Sequence, residues 1–383
     1  MLRQHANVAV VGAGFVGLAH AYLAAKTGKS VVVFERQQRA SGASTRGFGL
    51  IAPIRQASGA SYEMAIASRE LWMELLQAAR LPYHPTGSLH LAYHADELDV
   101  IREFCERGPR SGLAGEWLDA AGVEGRTQAV LSVGLLGALW SPTEMTVDPR
   151  MLLRRIPEFL SERYGVKFCF GSAARSIVLP EVDAGLQRWT ADTAIICAGD
   201  DFETLYPESF AGSGVTRCKS QLMRTALQPG GWRLGPSLFS GLSLRDSPAF
   251  SVCPSLSRLK ERIARELPEY DRWGIQVLVT QNSEGELTLG CSHEDGLAPD
   301  GFDKTAIDNL VIGYLRNFLQ APNLDVNERW HAVYARHPGR PYLVFSPAEN
   351  VRVVTGLGES DLTLCFGLAR QVLREMSVVE IPA

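Results

Sequence analysis

The segment Val8-Ala9-Val10-Val11-Gly12-Ala13-Gly14-Phe15-Val16-Gly17, with Val31-Val32-Val33-Phe34-Glu35 after it, constrains this chain more than any other feature. It reads as a strand, a G-x-G-x-x-G turn, a helix from Phe15 to about Thr27 closed by Gly28, and a second strand ending in an acid. Gly12 permits the tight turn, Gly14 lets the backbone approach a pyrophosphate, and Gly17 lets helix and sheet pack closely. A diphosphate would rest on the amides at the helix start, where the helix dipole favours negative charge. Glu35 stands about where a ribose-binding acid is expected, roughly 20 residues on. Leu2-Arg3 and the apolar run to Ala25 also resemble a secretory signal. Three glycines at fingerprint spacing and the strand after Thr27-Gly28-Lys29 have no role in a signal, so this end is expected to be mature and folded. No stretch approaches the ~20 apolar residues of a membrane span.

A chain of 383 residues suits two domains, discontinuous ones included. Its net charge of −4, without a long basic run, argues against nucleic acid or an anionic membrane as the main partner. The cysteines at 105, 169, 197, 218, 253, 291 and 365 are scattered and form no C-x-x-C pair. An odd, unpatterned set points to a reducing cytoplasm and to no metal site.

Further along, Ser61 to Ala79 reads as a helix and Ser88–Tyr93 as a strand, while 94–129 gives mixed helical signals. Asp148-Pro149 starts a helix to Tyr164, with Pro157 expected to bend it. Strands follow at Val166–Phe170, Ala174–Leu179 and Thr193–Ala198, then a hairpin of Gly274–Gln281 with Glu286–Cys291. Thr305–Gln320 has one apolar stripe, and Thr305 with Asp308 forms a capping-box start. Arg258–Glu266 reads as a solvated helix face. The strand Asn350–Thr355 runs through Gly356-Leu357-Gly358 into a helix from Asp361 to Met376. Nucleotide-type elements thus stand at the start, middle and end, implying one nucleotide domain from separated segments with a substrate domain inserted.

A terminal strand–Gly-x-Gly–helix supplies a second helix N-terminus, suited to the negative charge of a reduced isoalloxazine and so to FAD rather than nicotinamide. The chain resembles the D-amino-acid oxidase/glycine oxidase (DAO) family of FAD-dependent oxidoreductases nearly end to end. The markers are Val10 to Leu18, Glu35-Arg36, Gly42-Ala43-Ser44, Ala198-Gly199, Gly290-Cys291-Ser292-His293 and Thr355 to Gly358. Within that family, Val16 to Ala21, Arg46-Gly47-Phe48-Gly49, Ala198 to Phe202, Cys218 to Thr225 and Arg329 to Tyr334 resemble a narrower group associated with phosphonate breakdown. That group's pattern has Asn where this chain has Gly47 and Trp where it has Ala52.

The family resemblance implies an α/β fold: a Rossmann-like FAD-binding domain of the glutathione-reductase type with an inserted mixed or antiparallel β-sheet substrate domain. The expected FAD domain is 1–82, 142–214 and 336–383; the expected substrate domain is 83–141 and 215–335. By position, Gly12, Gly14 and Gly17 hold the pyrophosphate, Glu35 the ribose, and Arg36 and Ala174 lie near the adenine. Ser44, Thr45 and Arg46 lie on the path to the flavin. Gly47, Phe48 and Gly49 pass its ring, Ala198 and Gly199 follow the middle strand, and Gly358, Leu362 and Thr363 meet its pyrimidine side. The family reaction moves a hydride from the amine-bearing carbon to flavin N5, and the imine hydrolyses to a carbonyl and ammonia.

The protein must therefore hold the substrate's anionic end. Arg340 stands where the family places a carboxylate-binding arginine, and its fork fits phosphonate equally well. Lys219, Arg224, His331 and Arg46 are further candidates, and His337, His293, Trp330 and Tyr334 could line the pocket or tune its charge. Strand alternation puts Lys219 and Gln221 on one face, rather than Lys219 and Arg224. The expected substrate is a small amine with an anionic end, an aminophosphonate like 2-aminoethylphosphonate first. The alternatives are a glycine- or sarcosine-like amino acid, or a flavin-binding sensor without turnover. Several cations in the pocket would favour phosphonate; a lone Arg340 would favour carboxylate.

Overall fold

Gln4–Val11 and Val31–Glu35 pair in parallel, with Val8 opposite Val31 and Val11 opposite Phe34. Phe15–Lys26 is the helix between them, and its inward face is buried from Phe15 to Ala25. This is a computed structural model, and it describes residues 4–185 and 187–379. Leu2-Arg3 of the signal-like start, and the outer ends of the expected domain segments at 1–3 and 380–383, lie outside the described residues.

The strand pair belongs to a sheet with spatial order Leu343–Phe345, Val351–Thr355, Gln187–Ile196, Gln4–Val11, Val31–Glu35, Lys167–Phe170. All neighbours run parallel except the first pair. A small hairpin extension, Ser176–Val178 and Glu181–Ala184, attaches to Gln187–Ile196. The third middle strand therefore begins six residues earlier than Thr193, because its N-terminal half is recruited to that extension. Asp148 caps the helix Pro149–Tyr164 by accepting from Met151 N at 3.1 Å. Pro157 does not interrupt that helix.

The terminal helix Asp361–Glu375 packs against Phe15–Lys26 and Ala60–Ala79. Trp72 is the centre of that contact. Its ring meets Phe15 and Phe366 edge-on at 5.5 and 4.7 Å, and its Nε1 donates to Leu362 O at 2.8 Å. Burying a side chain of this class contributes roughly 1.5–3 kcal/mol, so the last helix ties the first to the second.

The second sheet is mixed. Thr216–Thr225 pairs antiparallel with Val326–Arg336, Leu287–Gly290 and Glu294–Gly296. The sheet continues through Leu278–Gln281, Ser237–Phe239, Ser88–Ala92, Gly137–Ser141 and Glu116–Leu118. Residues 94–129 resolve into the helix Ala95–Arg107, the strand Glu116–Leu118 and a short helix Ala120–Glu124.

Two expectations need correction here. The helix from Thr305 ends at Leu315, and Asp308 does not cap it: its carboxylate accepts from Gln221 Nε2 at 3.2 Å and from Arg329 Nε at 3.1 Å. The helix Leu256–Glu266 is not merely solvated, because Leu256, Leu259 and Ile263 are buried. Its Arg262 reaches the carboxylates of Asp96 at 2.6 Å and Glu97 at 3.0 Å. Tertiary ion pairs took these charges out of the local pattern.

Among the described residues no helix is long and apolar enough to cross a membrane. All seven cysteines are free thiols.

Candidate functional site

Three cavities of about 240, 70 and 610 Å3 run from the glycine turn to the mixed sheet, and Tyr334 and Gly358 line all three. The first follows the parallel strands' C-terminal ends, where ligands bind in open α/β sheets. Gly12, Gly14, Glu35, Arg36, Ser44, Ala174, Ala198 and Gly199 line it. Gly12 has φ +98, and a Cβ there would stand 2.3 Å from Cys197 O. A Cβ on Gly14 would lie 3.0 Å from Ser44 Oγ and would push that side chain aside, so a bare backbone at this position keeps the turn open to the cavity. Gly17 packs onto the turn itself and does not face the cavity: its Cβ would lie 1.9 Å from Gly12 O.

Glu35 is buried and already orders this turn, accepting from Ala13 N and Gln37 N at 3.0 Å each. Arg36 pairs with Asp201 at 3.2 Å across the cavity mouth. Ser44 accepts from Phe15 N at 3.2 Å and donates to Asp361 Oδ2 at 3.1 Å. It thus joins the starts of the first and last helices. Thr45 lines none of the three cavities; its hydroxyl closes a local turn on Gly42 O at 2.9 Å.

The middle cavity is lined by Arg46, Gly47, Phe48, Gly49, Leu222, Cys291, Leu362 and Thr363, among others. Thr363 Oγ1 accepts from Ala52 N at 3.0 Å, holding the chain at 50–52 over the last helix. Ala52 is buried with Leu50, Phe239 and Leu278. A bare glycine turn, an acid, two helix starts and a continuous run of cavities fit an extended dinucleotide carrying a ring system.

The third cavity is polar. Arg55, Arg272, Arg336 and Arg340 line it, with His293, His337 and four carboxylates. Arg55 is fixed on all sides: it donates to Gln276 Oε1 at 2.8 Å, Glu359 Oε1 at 3.0 Å and Ser247 Oγ at 3.1 Å. Its guanidinium also lies 5.6 Å from the Phe239 ring centre. Arg336 pairs with Asp295 at 3.2 Å. Burial would raise the Glu359 pKa, but Arg55, His293 and Arg336 outweigh it and hold the carboxyl well below the usual range. Burial, then Cys218, Glu359 and Cys291, push the Tyr334 hydroxyl well up, which keeps it a proton donor.

Of the residues expected to act on substrate, Arg340 lines the polar cavity and, among the described residues, makes no ion pair. Lys219 and His331 require correction. Lys219 and Gln221 do share a face of Thr216–Thr225, but Ser220 and Leu222 on the opposite face line the middle cavity. Lys219 is buried in an ion pair with Asp303 at 3.0 Å, and His331 meets the same carboxylate at 2.8 Å. Arg46 lines the middle cavity while its guanidinium bonds His331 O at 3.2 Å. Tyr334, His293 and His337, expected as pocket-lining residues, line the polar cavity, whereas Arg55, Arg336 and Glu359 were not singled out. Arg55 and Glu359 come from distant segments, and no local spacing links them.

The sequence model of the family described as FAD dependent oxidoreductase (DAO) matches residues 7–374. The fold is similar to that of glycine oxidase from Geobacillus kaustophilus, with TM-score 0.78, 17% identity, and 99% of this chain and 96% of that chain covered. It is also similar to L-proline dehydrogenase from P. horikoshii, with TM-score 0.76, 16% identity, and 100% and 96% covered. Such identities speak for the fold. A curated relative, the tRNA 5-methylaminomethyl-2-thiouridine biosynthesis bifunctional protein of Magnetococcus marinus, is 26% identical over 215 residues. That match takes in 53% of this chain and 31% of the relative, so the chain spans about a third of the relative's length.

Proposed function

The chain belongs to the FAD-dependent oxidoreductase (DAO) family, and from that premise we propose that it oxidises a small amine bearing an anionic end, an aminophosphonate of the 2-aminoethylphosphonate type first. The observation that carries this reading is the gathering of Arg55, Arg272, Arg336 and Arg340 on one cavity beside the ring-lined one. Planar guanidinium forks match the oxygens of phosphonate or carboxylate, and several of them suit a doubly charged end.

When bound, FAD supplies the hydride acceptor. Gly12 and Gly14 would hold its pyrophosphate, Glu35 its ribose, and Arg36 and Ala174 would border the adenine. Gly47, Phe48, Gly49, Gly358, Leu362 and Thr363 would surround the ring. Gly17 acts indirectly by letting helix and turn meet. Arg340 would take the substrate's anionic end, with Arg55 and Arg336 held by Glu359 and Asp295 to complete the field. Tyr334, protonated at neutral pH, would offer a hydrogen bond where the cavities join. Enclosure of the amine among these groups excludes water and favours its neutral, hydride-donating form.

A second reading is oxidation of a glycine-like or N-methyl amino acid. It is favoured by Arg340 being the lining arginine left without an ion pair among the described residues, since one free fork suffices for a carboxylate. Relatives of this fold include a glycine oxidase and an L-proline dehydrogenase.

The test is anaerobic mixing of the FAD-loaded protein with 2-aminoethylphosphonate, its N-methyl form, glycine and sarcosine, following the flavin's visible band. Faster bleaching by either phosphonate supports the first reading. Bleaching by the amino acids alone transfers the assignment to the second. An intact band with all four, in protein that retains FAD, would point to a flavin-binding sensor.

A further inference from the structure

His293 and Glu359 on the wall of the polar cavity, with Cys291 buried behind them, bring a nitrogen, an oxygen and a sulfur donor within 4.8 Å of one another. From this geometry we infer a binding site for a divalent cation of the zinc class, open to the cavity on its fourth side.

The His293 ring is oriented from behind: its Nδ1 donates to Gly274 O at 2.8 Å, which turns Nε2 towards Glu359, where a metal would take the place of the proton that Nε2 shares with that carboxylate. Nε2 stands 3.4 Å from Glu359 Oε2. That is the edge of a tetrahedron built on Zn–N and Zn–O bonds of about 2.0–2.1 Å. Glu359 can give Oε2 to a metal without releasing Arg55, which holds the other oxygen at 3.0 Å. Cys291 supplies the soft donor, and with a Zn–S bond of about 2.3 Å the sulfur must shift inward by about 1 Å at most.

A thiolate with a carboxylate neutralises a dication, and the S, N, O set selects zinc-class ions over magnesium or calcium. A second observation points to the same spot. The Tyr334 hydroxyl is buried beside Glu359 and Cys291 with no oxygen or nitrogen partner, only the weak Cys218 thiol nearby, and a water on the metal's fourth position would give it a full hydrogen bond. Cys291 lines the middle cavity and His293 the polar one, so an occupied site would stand between the two and block turnover. The inference does not depend on which amine is oxidised.

The experiment uses FAD-loaded protein. Zn2+ affinity is measured by competition with a chromophoric chelator, and Co2+ is added as a spectroscopic probe beyond the red edge of flavin absorption. One equivalent should bind, and Co2+ should give the intense ligand-field bands of a four-coordinate site. Cys291→Ser and His293→Gln should each weaken Zn2+ by 100-fold or so and abolish those bands, while the flavin spectrum and FAD content stay unchanged. If Cys291→Ser loses FAD, Glu359→Gln takes its place, with the same loss expected. Zn2+ affinity that is equal in wild type and variants, or a six-coordinate Co2+ spectrum, overturns the site.

Discussion

At the residue scale, the turn at Gly12 to Gly17 is defined by contacts too close for a side chain. Gly17→Ala would drive a Cβ to 1.9 Å from Gly12 O, a backbone atom that cannot yield without opening the turn. We expect loss of FAD retention together with a stability loss of about 3 kcal/mol or more, measured as FAD content and thermal midpoint. Arg340 makes a sharper functional prediction. Replacing it with Met should raise KM for the anionic amine by about 10- to 100-fold with a smaller change in kcat, since a uniform binding contact is removed. An unchanged KM would detach Arg340 from the substrate. His90 carries the pH prediction. Burial first, then the charge on Arg55, hold its pKa down to about 3, and both its ring nitrogens are buried without partners. The unfolded chain takes up this proton near pH 6.5, so the stabilisation is complete above that pH and lost as pH falls towards 3. The loss is of order 5 kcal/mol. His90→Phe keeps the stack on Phe239, whose ring centre is 4.3 Å away, and should flatten the acid limb of a thermal-midpoint profile.

At the element scale, short turns decide what the sheets present. The turn Pro53–Arg55 aims Arg55 at the cavity, and Glu144 pins it: Oε1 accepts from Ile54 N and Oε2 from Ser88 Oγ, each at 3.0 Å. Glu144→Ala leaves buried donors unmet, at about 2–4 kcal/mol. Because the glycine turn is remote from it, FAD affinity should hold while substrate KM rises at least tenfold. Equal losses of both would show that the turn does not act locally. The strand Thr216–Thr225 teaches the limits of local pattern. Alternation fixed which of its residues point together, yet not which face meets the cavity. That choice came from Thr305–Leu315, whose Asp308 takes Gln221, and from Asp303, which takes Lys219. A buried lysine with a carboxylate partner is indistinguishable in sequence from one that awaits an anion.

At the scale of the whole molecule, the C-terminal helix closes both the core and the site. Gly367 allows it to touch Ala60–Ala79, since a Cβ there would lie 2.4 Å from Met64 O. Gly367→Val should part the two helices, lower the thermal midpoint by several degrees and speed FAD loss, because Asp361, Leu362 and Thr363 ride on the same helix. A variant with unchanged FAD off-rate would separate the helix contact from cofactor retention. The strand–glycine turn–helix–strand, the Asp148 cap and the hairpin around Asn282 to Gly285 were legible because neighbours in sequence determine them. A turn needs φ above zero, a cap needs a side-chain oxygen, and a helix needs an apolar stripe; each is written within a dozen residues. The polar cavity was not legible in that way. Arg55 meets Glu359, Ser44 meets Asp361, and Cys291 with His293 meets Glu359 only after segments far apart in sequence are laid side by side. Sequence by itself determined the glycine turn and the α/β class, because those rest on local backbone geometry, and the family, because its motifs recur along the whole chain. The tertiary structure alone decided which charges are spent on each other and which face the cavity, because pairing energy depends on distance in space and on burial.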